Sequence, residues 1–215
     1  QAHGNLGPVQ RNGRLTLFNI QHPENTKMAD PITGKFDFDG DARMAQTVTN
    51  GPRYAPLTLD EVSPEGHEQV NAMRTAFNIP EDRPFPDVSL ITLRHPGMFR
   101  AQMVLGLEIA ARGTIPPRER ELAILRIALL ASAPFEWCEH VDIGKAFGVT
   151  PEEIERVIEG SSAAGWSEHE AALLRAVEEM IADHCMSDAT WDTLARTYDE
   201  KQMLELPMLV GSYLM

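Results

Sequence analysis

Residues 117–132 read Pro117-Arg118-Glu119-Arg120-Glu121-Leu122-Ala123-Ile124-Leu125-Arg126-Ile127-Ala128-Leu129-Leu130-Ala131-Ser132, and Pro134 follows two positions later. Beyond the first turn, Arg126 is the single charge. Apolar residues fall on every side of the remaining turns, as in a helix buried at the centre of a domain. Pro117 suits a first helical position, where its missing N–H costs nothing, and Pro134 marks the end.

The segments on either side carry the same period. A helix is expected from near Glu136 to Gly148, with the glycine as C-cap. Thr150-Pro151-Glu152-Glu153 and Ser167-Glu168-His169-Glu170 each place an acid three residues after a hydroxyl cap, the spacing of a capping box. The second opens a helix over 168–184 whose inner stripe is Leu173, Leu174, Val177 and Ile181. A short helix near 188–197 and a terminal one near 200–215, bent at Pro207, complete this side. On the other side, Pro96 opens a helix carrying Met98, Ala101, Leu105, Ile109 and Ala110, stopped by Gly113. Pro80, Pro84 and Pro86 force a loop. Residues 87–94 read equally as a helix start or an extended piece, and 64–77 show helical spacing at Val70, Met73 and Phe77. No strand pattern interrupts the series after Ser63. The expected fold class is all-α.

Residues 1–57 differ, with Gly, Pro, Asn and Asp at short intervals and one short strand candidate at Leu15–Ile20. They read as an irregular N-terminal extension to a helical domain at 58–215. At 215 residues and 43% hydrophobic, the chain buries a full core without disulfides. Cys138 and Cys185 form no framework. The net charge of -13 argues against a nucleic-acid partner. The acids concentrate at 151–200, thirteen against three bases, and read as solvated helix faces. No apolar run reaches the ~20 residues of a membrane span. With no secretory signal pattern either, the expected compartment is the cytoplasm.

Three pieces carry a family signature: Pro116 to Leu122, Phe135-Glu136-Trp137-Cys138-Glu139-His140, and Ala146-Phe147-Gly148-Val149-Thr150. Together they resemble the core of the carboxymuconolactone decarboxylase family, which includes the alkylhydroperoxidase D-like proteins. Leu206 to Tyr213 is similar to that family's last helix. The resemblance implies an all-helical subunit assembling as a trimer or hexamer, with sites near subunit contacts. Its peroxidase branch uses two cysteines three apart, a histidine four after the second and a glutamate twelve before the first. Laid on His140, the cysteine positions fall on Ala133 and Glu136, while the glutamate falls on Glu121. The chain thus resembles the decarboxylase-type branch, in which a glutamate and histidine replace the dithiol.

Glu136 and His140, four apart, share a helix face. An imidazole beside a carboxylate has its tautomer fixed and can move a proton. Glu121 reads either as a favourable charge at a helix N-terminus or as a buried carboxylate relaying a proton. Arg120 and Arg126 are candidates for binding a substrate carboxylate. Trp137 is a candidate pocket wall, with core packing as its other reading. His95 before Pro96 reads as a local cap. No spacing supplies a metal set, and no cofactor is expected if a conjugated substrate serves as its own electron sink. The expected activity is that of a decarboxylase-like lyase acting by proton transfer on a small cyclic carboxylate or lactone. The competing readings are an isomerase, hydratase or lactone-opening enzyme, a non-enzymatic ligand-binding or assembly protein, and a thiol peroxidase.

Overall fold

The computed structural model describes residues 53–77 and 79–215. The expected strand at 15–20 and most of the N-terminal extension lie outside the described residues. Among those described, every regular element is helical. After a 3-10 turn at Leu59–Glu61 come α1 (Pro64–Phe77), α2 (Asp87–Thr92), α3 (Pro96–Ala111), α4 (Pro117–Leu130), α5 (Pro134–Ala146), α6 (Pro151–Glu159), α7 (Glu168–Asp183), α8 (Asp188–Leu194) and α9 (Glu200–Tyr213). The ambiguous stretch after Pro86 is resolved as helix α2. Both capping boxes form, with Thr150 and Ser167 each accepting from the third helical N–H. Helix α9 continues through Pro207. No helix among the described residues is long and apolar enough to cross a membrane.

Helix α4 is the hub. It packs against α5, α6, α7 and α9, and all residues from Arg120 to Leu125 are buried. Its two apolar sides feed different clusters. Ala123, Ile124 and Ile127 join Leu173, Val177, Leu194, Leu206 and Leu209 from α7, α8 and α9. Leu122, Leu125 and Ala128 join Trp137, Val141, Ile154, Val157 and Leu174. Each fully buried leucine contributes about 1.5–3 kcal/mol relative to exposure, so the hub position follows from the apolar run alone. A third cluster joins Val62, Val70, Phe85, Leu93 and Phe99 between α1 and α3.

The corner between α4 and α5 is tight. Ser132 takes a left-handed φ of 51°, a conformation few non-glycine residues adopt. It reverses the chain so that α5 returns along α4. Gly144 then permits close approach. A β-carbon there would meet Val149 at 3.4 Å and the Cβ of Glu121 at 3.6 Å, so a side chain longer than methyl would push the two helices apart.

Candidate functional site

The close packing of α5 on α4 brings the residues at 121, 136 and 140 together. Glu121 and His140 lie on facing surfaces and are both buried. His140 Nδ1 is 2.7 Å from Glu121 Oε2. A carboxylate held in that contact accepts a hydrogen bond from Nδ1–H, which favours the ring tautomer whose Nε2 carries no hydrogen. Glu136, one turn earlier on α5, lies with Oε2 3.7 Å from His140 Nε2. That is too long for a hydrogen bond, so the two groups are neighbours without a direct bond between them.

Burial grades across the cluster. The side chain of Glu121 is 2% exposed, that of His140 10% and that of Glu136 36%. The cluster therefore opens to solvent through Glu136. Burial, with the charge of Glu139 adding to it, raises the Glu136 carboxyl above the ordinary range despite the opposing pull of His140. A carboxyl that holds its proton more tightly than usual, one helix turn from an imidazole, is an arrangement able to pass a proton between the two.

The arginine candidates are committed elsewhere. Arg120 donates from Nε and Nη2 to Glu121 Oε1 at 3.2 and 3.1 Å and from Nη1 to the Ala110 carbonyl at 3.0 Å. Its guanidinium carbon lies 5.3 Å from the Phe147 ring centre. It is a buried partner that holds Glu121 in place. Arg126 donates to the carbonyls of Val157 and Ile158 and pairs with Glu178 at 2.8 Å. It ties α4 to α6 and α7, and the structure does not bring it to the cluster. Trp137 is buried among Leu122, Leu125 and Val141, so its ring serves the core. His95 caps α3, accepting from Met98 N at 3.2 Å.

Two features escaped the sequence reading. Tyr213, in the last turn of α9, sets its ring edge-on to His140 at 5.1 Å. Burial and the charges of Glu121 and Glu136 push its phenol up, so it stays neutral. The other is a second cluster. Glu119 accepts from Tyr198 at 2.5 Å and lies 3.1 Å from His169 Nε2. Nothing in the local pattern signals either tyrosine, because each reaches its cluster from elements far along the chain. Among the described residues, no three His, Cys, Asp or Glu side chains are arranged to hold a metal.

No curated protein sequence matches the chain significantly. A solved structure from Agrobacterium tumefaciens, described as a protein of unknown function and a candidate antioxidant defence protein AhpD, shares the fold. Its TM-score is 0.52 at 21% identity, covering 57% of this chain and 85% of that one. Residues 96–179, which include Glu121, Glu136 and His140, match the model of the Carboxymuconolactone decarboxylase family. Residues 96–179 are thus similar to that family's model, and the helical fold is similar to that of the AhpD-described structure.

Proposed function

We propose that this chain is a decarboxylase-like lyase that acts by acid–base proton transfer on a small cyclic carboxylate or lactone. The supporting observation is the line Glu121–His140–Glu136, closed at 2.7 Å on the buried side and open at 3.7 Å toward solvent. Glu121 fixes the ring and stabilises the imidazolium that forms when Nε2 takes a proton, as the buried acid of a catalytic triad does. Glu136, on the solvent side and with its carboxyl raised above its ordinary value by burial, returns a proton to the substrate. The bond to the substrate carboxylate breaks and carbon dioxide leaves. The unsaturated lactone delocalises the electron pair left on its ring, and a proton then forms the new C–H bond, so the chemistry assigned to these residues is proton transfer alone. The similarity of residues 96–179 to the family model supports a lyase-type role.

A thiol peroxidase reading gains nothing from the geometry. Cys138 and Cys185 are free. Burial, together with Glu139 and Asp142, pushes the Cys138 thiol up, away from the thiolate that a peroxide-reducing cysteine requires. A homo-oligomer, trimer or hexamer, belongs to the same proposal. Exposed Met98 and Val104 on α3 and Leu204 and Met208 on α9 offer apolar faces to a neighbouring copy. Light-scattering mass of the intact protein tests that part, and a monomer at micromolar concentration would remove it.

The activity is tested by incubating the protein with carboxymuconolactone and following carbon dioxide and lactone products together. Release that vanishes in Glu136→Gln and His140→Ala supports a decarboxylase. Undiminished release in His140→Ala would refute the site.

A further inference from the structure

The two oxygens of Glu121 are shared out between different partners. Oε1 accepts from Arg120 Nε and Nη2 at 3.2 and 3.1 Å, and Oε2 faces His140 Nδ1 at 2.7 Å. Two residues earlier, by contrast, Tyr198 and His169 crowd onto one oxygen of Glu119. Arg120 is enclosed as well as paired. Its Nη1 donates to the carbonyl of Ala110 at 3.0 Å, in the last turn of α3, where helical carbonyls lack partners of their own and a cation is favoured. The Phe147 ring stands 5.3 Å from its guanidinium carbon, and the side chain is 5% exposed. A group so enclosed does not reach a substrate, but its charge reaches Glu121. The Glu121 side chain is 2% exposed, and a carboxylate there without a paired charge would be costly. Around it stand Arg120 on its own helix, Glu136 and His140 on α5 and Tyr213 on α9. Of these, Arg120 is the group whose positive charge is permanent.

We infer that Arg120 is a positioning residue that decides where the hydrogen sits on His140. The inference rests on the acid–base reading above and names what keeps its base ready. With the guanidinium present, Arg120 and Glu121 balance, the carboxylate accepts from Nδ1–H, and Nε2 carries no hydrogen. Without it, the buried pair Glu121–His140 has a net negative charge, which burial disfavours, and takes up one proton. That proton has two resting places. On the ring it makes an imidazolium, with hydrogen on both nitrogens. On Glu121 it turns the carboxyl into a donor to Nδ1, and the ring hydrogen moves to Nε2. In both cases Nε2 bears hydrogen and cannot take a proton from a substrate. The charge of Arg120, rather than the shape of its fork, carries the effect.

The test reads the ring nitrogens of His140 by nitrogen NMR of the full chain at neutral pH, with the signal assigned by its loss in His140→Gln. The expected result in wild type is Nε2 in the range of a nitrogen without hydrogen and Nδ1 in the range of one that bears it. Arg120→Met should move Nε2 into the hydrogen-bearing range. Arg120→Lys, which keeps the charge without the fork, should leave it as in wild type. Turnover of carboxymuconolactone should follow, with kcat at least about ten-fold lower in Arg120→Met and KM close to wild type, because Arg120 does not touch the substrate. A purely structural role would leave the nitrogen pattern unmoved in any variant that folds. Hydrogen on Nε2 in wild type overturns the inference, as does an unchanged Nε2 in folded Arg120→Met. If Arg120→Met does not fold, wild type and Arg120→Lys decide, and hydrogen on Nε2 in either overturns it. A wild type whose Nε2 is free of hydrogen but which releases no carbon dioxide from carboxymuconolactone would refute the acid–base reading and leave the role of Arg120 standing.

Discussion

Glu119 and Glu121, two residues apart at the start of α4, each meet a histidine and a tyrosine supplied by other parts of the chain. At Glu119 the set is closed. The Tyr198 hydroxyl and His169 Nε2 both sit on the same carboxylate oxygen, and the two rings stand edge-on at 4.7 Å. Burial pushes Glu119 up, but these hydrogen bonds outweigh it and hold the carboxylate below its usual range. The other nitrogen of His169 is buried without a partner. At Glu121 the tyrosine offers its ring to the histidine, and the second histidine nitrogen faces Glu136 and the solvent side. The same residue types thus make a staple in one place and, in the proposed reading, an acid–base site in the other. What separates them is whether the histidine keeps one nitrogen accessible and whether a second titratable group faces it.

The largest contrast expected is in activity. His140→Ala or Glu136→Gln should lower turnover of a lactone substrate at least about 10²-fold, while His169→Gln leaves it near wild type. A loss in His169→Gln equal to that in His140→Ala would erase the distinction.

Stability should show the next effect, because Glu121 holds two buried partners. Removing it in Glu121→Ala leaves Arg120 and His140 unpaired, and urea denaturation should register a loss of about 3–5 kcal/mol. Tyr198→Phe removes one hydrogen bond to a charged acceptor and should cost about 2 kcal/mol without touching activity.

The pH dependence separates the clusters by sign. Glu136 holds its proton more tightly in the folded chain than its ordinary 4.5. Its stabilising effect is therefore full below that value and lost as pH rises through the folded pKa. Glu136→Gln should gain stability relative to wild type on going from acid to neutral pH, read as the difference in urea midpoints. Glu119 is shifted the opposite way. Its contribution is present above 4.5 and lost as pH falls through the lower folded value, so Glu119→Gln should lose most at neutral pH. Matching pH trends in the two variants would contradict the assignment. The smallest effect belongs to the helix start at α6, where Thr150→Ala should cost about 1 kcal/mol.

The helical order was readable because its signals are local. The apolar turns of α4, the boxes at Thr150 and Ser167 and the positive-φ Gly148 just past the Phe147 cap each lie within a few residues. Glu136 and His140 were readable from their spacing, and Glu121 from its place in the family pattern. The roles of Arg120 and Arg126 were not. A long side chain leaves its helix in a direction set by packing, and both found carbonyls and carboxylates in the interior. Tyr213 was invisible for a related reason. Its partner lies more than seventy positions away, and α9 reaches His140 through its own core residues Leu206, Leu209 and Val210.

Hydrogen exchange between solvent and substrate tests the central claim most directly. Carboxymuconolactone incubated in deuterium oxide with wild type, His140→Ala, Glu136→Gln and His169→Gln should give a lactone product carrying ring deuterium with wild type and His169→Gln, and not with the other two. Exchange that persists in His140→Ala, or fails in wild type, would contradict proton transfer at the Glu121–His140–Glu136 line.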